Sequence, residues 1–239
     1  MRKIFLSALA LCVFSFGFAQ NDTIGRVPGP REVPANDHFV IQVGGLTWQG
    51  KPDSIRTGGL PRTFNMYVML DFPFKTNPHF SVAIGPGIAT DNMFLDKMEA
   101  TITDNAAAIR FRDLKDTTHF KKYKVSTAYL EAPVELRYAF NPDRNANSVK
   151  LALGAKVGTL LGAWTKGKTL EDKAGNAVNS FTEKEKSKRF FNSTRLSVTG
   201  RIGYGHFSIF GSYALTPLFK EGAGPKVQPM SIGLTLSGL

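Results

Sequence analysis

Residues 129–138 read Tyr-Leu-Glu-Ala-Pro-Val-Glu-Leu-Arg-Tyr. Successive side chains of a strand point to opposite faces. The run therefore sets Leu130, Ala132, Val134, Leu136 and Tyr138 on one face, and Tyr129, Glu131, Glu135 and Arg137 on the other. One face carries no charge and the other carries all of it, which predicts a β-strand between two environments of opposite chemistry.

The same alternation recurs outward in both directions. Candidate strands are His38–Gly50, Arg62–Lys75, Pro78–Thr90, Val125–Phe140, Asn147–Trp164, Asn192–Gly205, His206–Thr216 and Gln228–Leu239. Phe64, Met66, Val68, Leu70 and Phe72 oppose Asn65, Tyr67, Met69 and Asp71; Leu151, Leu153 and Val157 oppose Lys150, Gly154, Lys156 and Gly158; Leu196, Val198 and Ile202 oppose Arg195, Ser197 and Arg201. Connections after the second, fourth and sixth segments are brief, and the others are long and polar. A membrane meander has one side of turns and one of loops. The expectation is all-β: an eight-stranded antiparallel up-and-down transmembrane β-barrel with short periplasmic turns and long extracellular loops. Asp91–Lys124 and Lys166–Phe190 then face outward, while the turns at Asn77 and Asp143 face the periplasm.

Alternation alone does not say which face is inside. A soluble lipocalin-like binding barrel has the same period with apolar residues in the lumen. Three features favour the inverted arrangement. The charge-free face is continuous over most strands. The opposite face carries both signs, so buried charges have partners. Aromatics gather at the short-turn ends, as Phe72, Phe74, Phe80, Tyr138, Phe140, Tyr204 and Phe207, where an interfacial girdle would sit. A lumen charge network is expected from Asp71, Glu131, Glu135, Arg137, Lys150, Lys156, Arg195 and Arg201. Gly85, Gly87, Gly154, Gly158 and Gly203 fall on the same face, where missing side chains relieve crowding. Trp48 and Trp164 also fall there by parity; either a bulge shifts the register near the loops or they cap the lumen.

The N-terminus predicts export. Arg2 and Lys3 precede an apolar stretch, Ile4 to Phe18, that ends with Gly17-Phe18-Ala19 before Gln20. This is the order of a cleaved signal peptide, too short to prefer a membrane helix. Cys12, the sole cysteine, leaves with it. The domain reading is a signal peptide at 1–19, a Pro- and Gly-rich periplasmic lead-in at 20–37 and the barrel at 38–239.

The strand Tyr129–Tyr138, the stretch Leu153-Gly154-Ala155-Lys156-Val157-Gly158 and the strand from Phe191-Asn192 to Gly203-Tyr204 resemble the PorT-like outer-membrane β-barrel family of Bacteroidetes. The Pro217-Leu218-Phe219-Lys220 segment is similar too, and the likeness covers most of residues 38–239. It implies a small outer-membrane barrel, with one characterised branch involved in protein secretion.

No catalytic, cofactor or metal constellation emerges. His79-Phe80-Ser81 and His206-Phe207-Ser208 place histidine near serine, but beside short turns and with no orienting acid. There is no Cys/His metal spacing and no phosphate-cradling Gly-Lys-Ser/Thr loop. Thirty Lys and Arg against 19 Asp and Glu give a net charge of +11, much of it in the long connections. Nucleic acid does not suit an exported chain whose basic tracts lack interleaved aromatics. The expected partners are outer-membrane lipid and lipopolysaccharide, whose phosphates would meet the loop charges, and a protein partner at the loops or the periplasmic end. A non-enzymatic structural or interaction barrel is the first reading. A small solute channel or transporter is the second; an eight-stranded lumen filled by its own side chains disfavours it.

Overall fold

The computed structural model describes residues 38–103, 106–142 and 147–238, all of them in strands and their connections. The expected signal peptide, the lead-in and the Asp143 turn lie outside the described residues. Among those described, no helix is long and apolar enough to cross a membrane.

Among the described residues thirteen antiparallel strand segments are present where eight strands were expected: β1 (Phe39–Gln49), β2 (Arg62–Val68), β3 (Leu70–Pro73), β4 (Phe80–Ile84), β5 (Gly87–Leu95), β6 (Met98–Thr101), β7 (Arg110–Asp113), β8 (His119–Ala139), β9 (Val149–Glu171), β10 (Ala177–Lys186), β11 (Thr194–Tyr204), β12 (Phe207–Ala214) and β13 (Gln228–Ser237). The larger number has two causes. The first is a local interruption. Pro86 separates β4 from β5 and has no N–H to give the ladder; its carbonyl accepts instead from Val68 N, at 2.9 Å, beside the break between β2 and β3. Register is kept across the gap, with Leu70 opposite Ile84 on one side of it and Tyr67 opposite Gly87 on the other.

The second cause is that the long connections are themselves folded. β5 continues to Leu95 and β8 begins at His119, with β6 and β7 paired as a small hairpin between them. β9 runs on to Glu171 and turns back as β10, which pairs only with β9. Asp91 to Lys124 and Lys166 to Phe190 are therefore mostly strand, not polar loop.

Successive pairings run β9–β11–β12–β13–β1–β2–β5–β8, and β8 pairs again with β9, so the series returns to its start. The longest shared edge joins β8 to β9, from His119 opposite Glu171 to Ala139 opposite Lys150.

Burial assigns the faces that parity could not. Val134, Leu136, Leu153, Val157, Ile202, Ile232 and Leu234 are 44–72% exposed, while Glu131, Glu135, Lys156 and Arg201 are 2–9% exposed. The apolar face points outward and the charges inward, opposite to the lipocalin-like arrangement. The aromatics of the turn side lie on the outer surface, with Phe80, Tyr138 and Phe140 in ring contact at 4.9 and 5.0 Å. Each of the two explanations for the tryptophans applies once. Trp48 is buried in a cluster beneath the loops. A register shift at Ala128/Tyr129 leaves Leu161 as an extra residue on β9, which turns Trp164 to the outer face.

Candidate functional site

Two groups of buried ions occupy the part of the interior enclosed by the apolar outer face. In the first, Arg195 of β11 holds Glu131 of β8 through Nε at 2.8 Å and Nη2 at 2.5 Å, and donates from Nη1 to Asp91 of β5 at 2.5 Å. The Tyr67 hydroxyl donates to the other Glu131 oxygen at 2.6 Å and receives Lys156 Nζ at 3.4 Å. The Arg195 guanidinium also lies 4.1 Å from the centre of the Tyr129 ring. In the second group, Glu135 accepts from Arg137 Nε at 3.1 Å and from Arg201 Nη2 at 2.6 Å, while Arg137 lies 3.7 Å from Asp71.

Backbone spacing makes room for these side chains. Glu131 is flanked in register by Gly87 on β5 and Gly158 on β9. A Cβ at Gly158 would stand 2.9 Å from the Glu131 side chain, and one at Gly87 would stand 2.1 Å from the Tyr67 ring. Small residues on both neighbours thus let one strand project long ionic groups across the interior.

Seven of the eight expected network residues fall into these groups. The eighth, Lys150, is half-buried at the turn-side start of β9. Sequence reading missed Asp91 because the third strand was ended at Thr90; one further step of parity from Ala89 reaches it. A neutral layer continues the packing, with Thr63 donating to Asn65, Asn65 to Gln42 and Gln42 to Thr235 at 3.1–3.2 Å. The void beside Glu131, Lys156 and Arg195 measures about 20 Å³, enough for roughly one water.

Toward the loops the interior changes character. Trp48, Met93, Tyr123, Val125, Leu160, Phe191, Leu218 and Phe219 belong to one buried apolar cluster. Residues 217–227, expected as a polar loop, fold back into it. The Phe219 ring meets Phe191 at 5.2 Å, Trp48 at 6.0 Å and Phe111 at 6.1 Å. Asn192 Nδ2 holds that turn by donating to the carbonyls of Pro217 and Phe219 at 2.7 and 2.9 Å. Three of the four histidines join strand ends: His38, His79 and His206 approach the carbonyls of Met69, Ala139 and Ser237 through Nδ1 at 3.2, 2.8 and 3.0 Å.

A family model for the outer membrane protein β-barrel domain matches residues 37–220. The chain belongs to this family of outer-membrane β-barrels. Among solved structures, the attachment invasion locus protein Ail of Yersinia pestis is similar at 15% identity and a TM-score of 0.32, over 84% of this chain and 97% of that one. No curated relative matches the sequence. The outward apolar face suits the family's location, since a barrel in the outer membrane presents its outer surface to lipid.

Proposed function

We propose that the chain is a closed eight-stave barrel with a filled, non-conducting lumen, serving a structural or interaction role with no catalytic step of its own. Counting β2 with β3 and β4 with β5 as single interrupted staves, the cyclic series of pairings has eight members. Lipid tolerates no unpaired sheet edge, which favours closure. The observation that carries the reading is ion pairing and hydrogen bonding between staves that are not neighbours. Glu131 of β8 meets Arg195 of β11 past the intervening β9, and Tyr67 of β2 meets Glu131 past β5. Such contacts cross the lumen and fill it.

In this reading residues 1–19 are removed on export, residues 20–37 lead into the barrel from the periplasm, and the β9–β10 hairpin faces outward with the β6–β7 hairpin. Outer-membrane lipid surrounds the belt, and a protein partner docks at the loops or the periplasmic end. The PorT-like resemblance supports a link to protein secretion.

Reconstitution into a planar bilayer tests the filled lumen; no steady conductance is expected, and conductance at the level of an open pore would refute the reading. A single cysteine at Lys173, probed on intact cells with an impermeant thiol reagent, should label, whereas one at Asn77 should not.

A further inference from the structure

Lysines stand directly opposite one another on the outer face of the loop-side wall. Lys124 of β8 pairs in register with Lys166 of β9, and Lys166 with Lys184 of β10. One step further from the belt, Lys122 pairs with Lys168. Like charges at directly opposed positions destabilise a sheet, and here they extend over three strands. No carboxylate among the described residues lies within ion-pair distance of Lys122, Lys166, Lys168 or Lys184; Lys124 donates to the neutral Asn92 side chain at 2.6 Å. The acidic residues of β10 do not relieve them. Glu183 and Glu185 alternate with Lys184 and project to the other face, where Glu185 accepts from Thr103 at 2.8 Å. The Thr-Glu-Lys-Glu-Lys run is thus sorted by sign, cations outward.

Height above the belt identifies what neutralises them. A membrane strand needs about 9–11 residues, which from Tyr138 at the turn-side girdle reaches Ala128 on β8. Trp164, pairing with Ser126, sits just beyond, and the lysine ladder begins two residues above that. Lys184 lies over the Trp164 ring at 5.3 Å, and Lys124 and Arg62 over Phe94 at 5.9 and 5.5 Å. Beside Arg62, Phe94 and Lys122 is a groove of about 240 Å³, edged by the exposed Leu60.

We propose that this wall is a binding site for the phosphate groups of a phosphorylated glycolipid in the outer leaflet, with the lysine ladder as its charge complement and Trp164 marking the interface. The site rests on the loop-outward orientation proposed above.

The test uses the full chain in uncharged detergent micelles, which have no sidedness, so its failure is distinct from failure of the orientation. Probes are bis-phosphorylated lipid A, the same lipid stripped of phosphate, and inorganic phosphate, read by tryptophan fluorescence. Phosphorylated lipid should bind, and the other two should not. A surface lysine contributes about five-fold to binding an anionic lipid surface, so Lys166→Gln with Lys184→Gln should weaken binding about 25-fold. Lys173→Gln, in the β9–β10 turn, should bind as wild type. Because the double variant removes repulsion, its lipid-free unfolding midpoint should equal or exceed that of wild type. Undiminished binding by the double variant, equal binding of stripped lipid, saturation by inorganic phosphate, or a lowered lipid-free midpoint would each overturn the proposal.

Discussion

The two halves of β8 obey opposite rules. From Ala128 to Tyr138 its outward residues are Leu130, Val134 and Leu136, and its inward ones are Glu131, Glu135 and Arg137; from Lys122 to Val125 its outward residues are Lys122 and Lys124, and its inward ones Tyr123 and Val125. Parity does not slip from Lys122 to Tyr138. What changes is the solvent outside. Against lipid the outer face must be apolar, which leaves the polar groups to pair within. Above the lipid the outer face meets water, and the interior returns to the apolar packing of a soluble protein. One strand therefore carries a lipid-facing pattern and a water-facing pattern end to end, with Thr127 and Ala128 at the change.

The largest expected effect comes from disturbing the ionic half. Glu131→Ala leaves buried Arg195 with Asp91 but without its second carboxylate, and takes the Glu131 charge from beside buried Lys156. Removing one partner of a buried pair costs about 3–5 kcal/mol, so the urea midpoint in lipid vesicles should fall steeply and the heat-resistant electrophoretic form should be lost. Phe219→Ala should act only on the other half. Deleting a buried aromatic costs about 3–5 kcal/mol locally, read as faster proteolysis within residues 217–227 while the heat-resistant form persists. If Phe219→Ala abolished that form as Glu131→Ala does, the two halves would be one cooperative unit.

The boundary between the halves gives a smaller and graded effect. Val134→Arg places a cation in the middle of the belt at a cost of about 2–4 kcal/mol, whereas at Ala128, near the interface, the cost falls to about 0–1 kcal/mol. Equal costs at the two positions would erase the boundary.

The smallest effect is expected outside the barrel wall. The Arg56 guanidinium donates to both oxygens of Asp113 at 2.5 and 2.6 Å and, with the Lys115 N–H, holds that carboxyl well below its usual range. A depressed carboxyl contributes above its ordinary value near 3.8 and loses that contribution only as pH falls through the lower folded value. The pair is solvent-exposed, so Arg56→Ala should leave the midpoint at neutral pH unchanged, and any difference from wild type should vanish only in strong acid.

The strands that face lipid were legible because lipid imposes a strict period of two: the Tyr129–Tyr138 run alone separates the two faces of β8. The ionic residues followed from the same period. The loop-side half was illegible for a physical reason. There the outer face is as polar as the loops, so β9 beyond Trp164 and all of β10 read as charged connection, although Lys166, Lys168, Lys184 and Lys186 alternate with Thr165, Gly167, Glu183 and Glu185. The break at Pro86 is marked locally by a proline that cannot donate to the ladder, whereas the folded-back Phe219 depends on contacts far away in sequence, such as Trp48, and no local pattern announces it.

A spin-label scan of β8 in lipid vesicles, one cysteine at a time from Phe120 to Tyr138, tests the change of rule most directly. Accessibility to oxygen reports lipid and accessibility to a polar nickel chelate reports water. The even positions from Ala128 to Tyr138 should be oxygen-accessible, Lys122 and Lys124 should be nickel-accessible, and the odd positions from Tyr123 to Arg137 should be shielded from both. Nickel access at Leu130, Val134 and Leu136, or at Glu131 and Glu135, would contradict the account, the first by removing the lipid and the second by opening the lumen.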